Sequence, residues 1–173
     1  LSGKLATVTG TLKLSAPPLP AESEALRRLG QAIGARPCWL AASVHPGEET
    51  AIADAHRLLA ARWPEILTLI APRHPDRAAI FAQALRSAGA GVALRSTGAL
   101  PKPATGAYIA DTLGELGLLY RLAPVSFVGG SLIAHGGQNL LEAARLGSAI
   151  LHGPDMRNFA TLAAEFSARD ASE

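Results

Sequence analysis

Short apolar runs alternate with longer amphipathic stretches along most of this chain. The apolar runs are continuous, as expected for strands covered on both faces, and the stretches between them have helical periodicity. The runs predicted as strands are 38–43, 66–71, 91–95, 106–111, 125–130 and 149–153, and the stretches predicted as helices are 23–33, 49–62, 76–88, 115–122, 139–147 and 156–168. This alternation predicts an α/β fold, a parallel sheet with helices on both faces.

The first 22 residues do not share this pattern. The stretch "LATVTGTLKL" has the loose alternation of a short strand or an extended arm, and "SAPPLPAE" then stiffens the chain with three prolines. We therefore predict a linker at 1–22 and a domain at 23–173, with Ser23 as the cap of the first helix. Because the sequence begins in mid-pattern and without an initiator Met, we expect it to be a piece of a longer protein.

Composition narrows the class of protein. A chain of 173 residues suits one globular domain, and its net charge of +2 is too small to indicate a nucleic-acid partner. No stretch approaches the roughly 18 apolar residues that a membrane span needs. The single cysteine, Cys38, excludes an intramolecular disulfide.

Unusual polar and glycine-rich segments follow five of the six predicted strands. In order they are "HPGEE" (45–49), "PRHPDR" (72–77), "DTLGEL" (111–116), "GGSLIAHGGQN" (129–139) and "GPDMRN" (153–158). The carboxyl ends of parallel strands meet at one edge of the sheet, where open α/β sheets bind their ligands. The sequence therefore predicts a binding site at that edge, and the glycines of 129–137 predict close approach of the backbone to a ligand.

Two charged residues of these loops are candidate ligand contacts. Arg73 lies between two prolines, so its guanidinium is either displayed for a phosphate or carboxylate or simply part of a solvated turn. Asn139 is a candidate helix cap, and Glu142 falls in the first turn after it. The Glu142 carboxylate either interacts favourably with the helix dipole or accepts hydrogen bonds from a diol such as a ribose.

Other polar residues have simpler interpretations. Glu48 and Glu49 favour a helix N-terminus, and His56 is expected on the surface of a helix. His45, His135 and His152 have neither the helical pairing nor the cysteine neighbours of a zinc site, so we expect no metal. No strand is followed by GxGxxG, and no GxxxxGK[ST] occurs, so neither a dinucleotide fingerprint nor a P-loop is supported.

Five segments, taken in order, resemble the C-terminal half of the 3-deoxy-D-manno-octulosonic acid (Kdo) transferase family. They are "ASVHPGEE", "PRHPDR", "DTLGELGLLY", "SFVGGSL" and "GGQNLLEAARLGSAILHGP", and "VTGTLKLS" resembles the segment that leads into this half. The resemblance implies the C-terminal, Rossmann-like domain of a GT-B glycosyltransferase. That domain would bind the donor CMP-Kdo and no other cofactor.

The resemblance also implies what this chain lacks. In the family an N-terminal domain binds the lipid A precursor and supplies a glutamate as general base, so the isolated fragment is expected to be inactive. A further C-terminal helix of the family is also missing, which implies truncation at that end. The family acts at the cytoplasmic face of the bacterial inner membrane during lipopolysaccharide assembly. Membrane contact is expected only through the full-length protein, with the fragment itself soluble.

The family's motifs carry over to particular positions of this sequence. Pro72 and Arg73 would contact CMP, and the segment Leu113, Gly114 and Glu115 would meet the nucleotide mainly through its backbone. The segment 139–142 would place Glu142 on the ribose; its residues are Asn139, Leu140, Leu141 and Glu142. Lys13 is a possible charge stabiliser near the donor.

The sequence departs from the family's pattern at three positions, Gln138, Leu140 and Gly117, which often hold His, Pro and Pro. None of these departures removes a charged contact, so they affect loop geometry rather than donor class. Two other functions stay open. One is a GT-B transferase or epimerase that uses a UDP-sugar, and the other is a nucleotide-binding module without catalysis.

Overall fold

The structure, a computed structural model, describes residues 16–169, 171 and 172. Its strands are β1 (Cys38–Val44), β2 (Leu67–Pro72), β3 (Val92–Leu94), β4 (Ala107–Ile109), β5 (Val125–Val128) and β6 (Ala149–His152). Its helices are α1 (Ser23–Ile33), α2 (Glu49–Arg62), α3 (Ala78–Ser87), α4 (Leu116–Leu122), α5 (Leu140–Ala144) and α6 (Ala160–Ser167). Each of the six predicted strands and six predicted helices is found; α1 and α2 have the predicted bounds, and the other elements have shifted ends.

The six strands form one sheet in the order β3-β4-β2-β1-β5-β6, and all neighbouring strands are parallel. This confirms the predicted α/β, Rossmann-like sheet. The chain leaves β1 toward β2, β3 and β4 on one side and returns to β5 and β6 on the other. The order therefore reverses between β1 and β5, which is the topological switch point where such sheets bind ligands.

The sheet separates two apolar clusters, as expected when helices cover both faces. Helices α2 and α3 pack on one face, where Ile52 and Phe81 meet Ile70 and Ile109 of the strands. Helices α1, α4, α5 and α6 pack on the other face. Strands β2 and β4 are buried along their whole length, whereas the edge strands β3 and β6 are partly exposed. The continuous apolar runs of the sequence follow from this double cover.

Three local predictions need correction. The cap of α1 is Glu22, not Ser23: its carboxylate accepts hydrogen bonds from the backbone N–H groups of Glu24 and Ala25. Helix α5 is only five residues long, because the chain turns out of it toward a left-handed Gly147 (φ 76°) before β6. Strand β3 ends one residue early, since Arg95 begins a 3₁₀ turn.

The described part of the linker, residues 16–22, lies across α4. Leu19 packs against the core, and its carbonyl accepts a hydrogen bond from Arg121 at 2.8 Å. A Cβ atom at Gly117 would overlap the carbonyl oxygen of Pro20, so the departure to glycine gives the linker room. Lys13 and the rest of residues 1–15 lie outside the described residues. The interdomain role of 1–22 and the domain boundary at 23 stay predictions.

His56 is buried, which corrects the expectation of a surface residue. Only 4% of it is exposed, and its Nδ1 lies 2.9 Å from the hydroxyl of Thr68. That hydroxyl also accepts a hydrogen bond from the indole N–H of Trp39 at 2.9 Å, so its own proton is available for His56. Burial lowers the pKa of His56, because the charged imidazolium is poorly solvated there.

We expect the free energy of unfolding to fall as the pH drops through the ordinary histidine pKa of 6.5. The unfolded chain binds this proton more readily than the native protein does, so stability is complete above that pH and decreases below it, by up to about 1.4 kcal/mol per pH unit for each such group. Urea unfolding at pH 7.5 and 5.5 measures the loss. It should be smaller in His56→Gln, and an equal loss in variant and wild type would show that His56 does not contribute.

Candidate functional site

Strand β1 ends in a bulge that orients the loop after it. Ala42 pairs with Ala71 and Val44 pairs with Pro72, so Ser43 is an extra residue without a counterpart. Its φ of 53° lies in the left-handed region, which is uncommon for a residue other than glycine. Bulges of this kind redirect side chains at the ends of strands. Here the bulge directs the segment 45–49 toward the switch point between β1 and β5.

A first cavity, of about 160 Å³, lies beyond the ends of β2 and β4. It brings two predicted segments together, Pro72 and Arg73 from one loop and Leu113, Gly114 and Glu115 from another. Ser43 of the β1 bulge also lines it. Residues that are about 40 positions apart in the sequence therefore share one surface at the carboxyl edge of the sheet, as the positions of the loops predicted.

The backbone of Arg73 is fixed, whereas its side chain is exposed. Its N–H donates to the carbonyl of Val44 at 2.9 Å, which continues the pairing of β1 with β2. Pro72 before it is buried, and Pro75 after it begins a 3₁₀ turn. Among the described residues, the Arg73 guanidinium has no hydrogen-bond or ion-pair partner. The arrangement thus presents an uncompensated positive charge at the rim of the first cavity.

The side chain of Glu115 is engaged within the protein. Its carboxylate accepts hydrogen bonds from Arg95 Nε and Nη2 at 2.9 and 2.6 Å, and another from the hydroxyl of Thr112. Burial acts to raise the pKa of Glu115, but the hydrogen bonds from Arg95 and Thr112 outweigh it, so the pKa is lowered. A ligand in the first cavity would therefore meet the backbone of this segment, where Gly114 has a φ of 81°.

A second cavity, of about 280 Å³, lies at the start of α5. Asn139, Leu141 and Glu142 line it, together with Gln138 and the linker residues 16–19. Leu140 does not, because its side chain is fully buried in the core. The family resemblance implies that all four residues of 139–142 contact the nucleotide. In the structure, only three of their four side chains face the cavity.

Asn139 caps α5 and also contacts Glu142. Its Oδ1 accepts the N–H of Leu141 at 3.2 Å, which confirms the predicted cap, and its Nδ2 donates to Glu142 Oε1 at 3.3 Å. The negative charge of Glu142 lies near Tyr120, whose pKa is raised first by burial and then by that charge. Glu142 is in the first turn, as predicted. Both interpretations of its carboxylate, dipole partner and diol acceptor, fit this position.

Glu48 is a residue whose role the sequence analysis missed. It is completely buried, and its carboxylate accepts four backbone hydrogen bonds, which link the loop after β1 to the loop after β5. The donors are the N–H groups of His45 (2.9 Å), Gly130 (2.8 Å), Ser131 (3.1 Å) and Leu132 (3.1 Å). Although Glu48 does precede α2, its side chain makes no cap hydrogen bond to that helix.

The glycines that follow β5 are explained by this carboxylate. A Cβ atom at Gly129 would lie 2.6 Å from the Cα of Val44 and 2.9 Å from Glu48 Oε2. Gly130 has a φ of 68°, which lets its N–H turn toward Glu48. The backbone donors of Gly130, Ser131 and Leu132 therefore bind an internal anion. These N–H groups are therefore already satisfied within the protein, and a close approach of this backbone to a ligand stays a prediction.

Three histidines from separate loops of the sequence, His45, His74 and His135, are neighbours in the structure, whereas His152 lies apart from them. The ring centroids of His45 and His135 are 3.9 Å apart, and those of His45 and His74 are 5.9 Å apart. His45 is buried beneath the other two, which are exposed. We call these residues the histidine cluster. No spacing in the sequence could have revealed it, because each ring comes from a different loop.

The sheet order and the cavities at its carboxyl edge define the class of protein, a Rossmann-like ligand-binding domain. The C-terminal CMP-Kdo binding domain of WaaA from Acinetobacter baumannii has a similar structure, with a TM-score of 0.80 and 32% identity; the match covers 86% of this chain and 79% of that one. The chain belongs to the 3-deoxy-D-manno-octulosonic acid transferase family, and its fold is that of the C-terminal domain of these GT-B glycosyltransferases.

Curated relatives agree with this family. The 3-deoxy-D-manno-octulosonic acid transferase of Haemophilus influenzae is 41% identical over 124 residues, which are 72% of this chain and 29% of that protein. The corresponding protein of Bordetella pertussis is 40% identical over 172 residues, which are 95% of this chain and 38% of that protein. The chain thus spans about a third of the length of these relatives. No family model matches it.

Helix length and hydropathy in the described residues bear on membrane insertion. None of the helices there is long and apolar enough to cross a bilayer.

Proposed function

We propose that this chain is the donor-binding domain of a glycosyltransferase that moves Kdo from CMP-Kdo to a lipid A precursor in lipopolysaccharide assembly. The observation that carries the proposal is the first cavity, where Arg73 and the backbone of 113–115 meet although they come from different strands. The likeness to a CMP-Kdo binding domain at 32% identity supports the donor. Like the resemblance from which it comes, the proposal places the full-length protein at the cytoplasmic face of the bacterial inner membrane.

Each site residue has a proposed role. Pro72 and Arg73 contact the CMP portion, with Arg73 on the phosphate, and Leu113, Gly114 and Glu115 bind the nucleotide through backbone groups. The segment that begins at Asn139 orients the ribose, with Glu142 as the acceptor of its two hydroxyls. Lys13 is the proposed further cation near the donor. No cofactor beyond the donor is required.

The chemistry needs orientation and charge stabilisation rather than a covalent intermediate. A base on the N-terminal domain, absent from this chain, removes the proton of the acceptor hydroxyl. The hydroxyl oxygen attacks the anomeric carbon, the bond from that carbon to the phosphate oxygen breaks, and CMP leaves with the bonding electrons. Charge accumulates on the phosphate, where the Arg73 guanidinium stabilises the transition state.

Calorimetric titration with CMP, UMP and AMP tests the proposal. CMP should bind most tightly, because the donor carries cytosine. Tighter binding of UMP would favour the alternative of a UDP-sugar transferase or epimerase. Equal binding of all three nucleotides would favour a module that does not distinguish bases and would contradict the assignment to a CMP-Kdo domain.

We expect Glu142→Gln to weaken CMP binding while leaving the fold intact. A carboxylate can accept both hydroxyls of a ribose, whereas an amide offers one acceptor oxygen and a competing NH₂ donor. The loss should shrink for 2′,3′-dideoxy-CMP, which lacks the diol. Titrating both ligands against wild type and variant forms a double-mutant cycle.

The helix-dipole interpretation of Glu142 gives a different result. It predicts a change in stability of at most about 1 kcal/mol and equal changes in affinity for the two ligands. A coupling energy near zero between the carboxylate and the diol would therefore exclude the ribose role.

A further inference from the structure

The histidine cluster lies at the switch point of the sheet. His45 follows β1 and His135 follows β5, the two strands between which the strand order reverses. His74 follows β2 and is the next residue after Arg73 in the chain. Each ring therefore comes from a loop at the carboxyl edge, where Rossmann-like sheets bind their ligands.

The cluster also connects the two cavities. Gln138 lines the second cavity, and its Nε2 lies 3.2 Å from Nε2 of His45. On the other side, Arg73 lines the first cavity, next to His74. A ligand with its nucleotide in these cavities would thus pass over the rings. A Cβ atom at Gly130 would lie 3.1 Å from Cδ2 of His135 and 3.3 Å from that of His45, so the packing of both rings uses the space that glycine leaves.

The charges around His45 favour an anion over a cation. Burial lowers its pKa most, and the neighbouring His135, His74 and Arg73 lower it further, while the carboxylate of Glu48 acts to raise it. Among residues 16–169, 171 and 172, those four groups are the charged and titratable neighbours of the ring. The Glu48 carboxylate is already occupied by four backbone N–H groups. Among the described residues, no three His, Cys, Asp or Glu side chains are arranged to hold a metal ion.

We propose that His45, His74 and His135 form the subsite for the carboxylate of the donor's sugar acid and bind a proton when that carboxylate arrives. This inference rests on the proposed function. In a glycosyl phosphate of a 2-keto sugar acid, the carboxylate and the phosphate oxygen are attached to the same anomeric carbon. A phosphate at Arg73 therefore places the carboxylate near the adjacent residue, His74, and near His45, whose ring contacts both His74 and His135. Protonated imidazoles would then select an acidic sugar over a neutral one.

The test compares CMP-Kdo, freshly prepared, with the methyl ester of CMP. Both ligands carry one phosphodiester charge, which does not titrate near neutral pH, but only CMP-Kdo has a carboxylate. Calorimetric titration of the 173-residue chain at pH 6 and pH 8, in buffers of different ionisation enthalpy, gives affinity and proton uptake. Uptake of one proton makes affinity change by up to about tenfold per pH unit. We expect CMP-Kdo to take up more protons than the ester and to lose at least about tenfold in affinity by pH 8.

Substitutions identify the residues that are responsible for the excess proton uptake with CMP-Kdo. His74→Gln combined with His135→Gln changes only exposed rings, so it should preserve the fold and reduce the pH dependence for CMP-Kdo to that of the ester. His152→Gln is the matched control, because His152 is the last residue of β6 at the same sheet edge but hydrogen-bonds to Gly153 and Ser172 outside the cluster. It should leave the excess proton uptake unchanged.

Two results would overturn the inference without touching the proposed function. In one, the ester binds with the same proton uptake as CMP-Kdo, which would assign the rings to the phosphate or to no ligand group. In the other, the excess proton uptake with CMP-Kdo persists in the His74→Gln, His135→Gln double variant. If neither ligand binds, the proposed function fails and this inference fails with it.

Discussion

Replacing Glu48 by alanine should lower the free energy of unfolding by about 3–5 kcal/mol, the largest change we expect from one substitution outside the apolar core. The carboxylate is fully buried, and four backbone N–H groups depend on it. Alanine would leave these donors without an acceptor at a position that is fully buried. Urea unfolding measures the change, and the loop after β5 should become the part of the sheet edge that exchanges its amide hydrogens fastest.

Two variants separate this role from simple loss of a negative charge. Glu48→Gln keeps one acceptor oxygen and should cost less than alanine but more than an exposed substitution. Glu65→Ala removes an exposed carboxylate and should change stability by no more than about 0.5 kcal/mol. If Glu48→Ala were as mild as Glu65→Ala, the loop after β5 would not depend on the buried carboxylate.

Arg73→Ala should weaken CMP binding by about 1.5–3 kcal/mol, roughly 10–150-fold, while changing cytidine binding little. The backbone at Arg73 is fixed by its bond to Val44 and by the prolines on either side, so removing the side chain should not move the loop. Cytidine lacks the phosphate that the guanidinium is proposed to bind. Calorimetric titration of both ligands against both proteins isolates that contact.

Arg77→Ala is the matched control, since Arg77 lies in the same loop with its charge directed at Asp76, 3.4 Å away. It should leave the CMP affinity within about twofold of wild type. Equal losses of affinity for CMP and cytidine in Arg73→Ala would mean that Arg73 supports the loop and does not contact the phosphate.

The sequence could predict the sheet and the edge at which a site would form. Continuous apolar runs such as 66–71 indicate strands covered on both faces. Their alternation with helical stretches predicts that those strands are parallel. Parallel strands bring their carboxyl ends to one edge, so Arg73 and Gly114 could be assigned to the same surface. The helix cap at Asn139 could also be predicted from the sequence, because an N-cap side chain hydrogen-bonds to backbone groups only two or three positions away.

What the sequence could not predict are contacts between loops that follow different strands. Glu48 has the local pattern of a helix N-terminus, yet its carboxylate binds N–H groups more than 80 positions away, and that pairing depends on β1 lying next to β5. His56 falls on a helical face that looked exposed, but Thr68 of β2 and Gly106, the residue before β4, cover it.

The amino-acid sequence alone thus determined the class of fold, the family resemblance and the edge that carries the candidate site. Those properties follow from local periodicity and from short motifs, which need no knowledge of strand order. The tertiary structure decided which loops are neighbours at that edge. Strand order sets those neighbours, so only the folded sheet shows that Glu48 fixes the glycine loop and that His45, His74 and His135 share one surface.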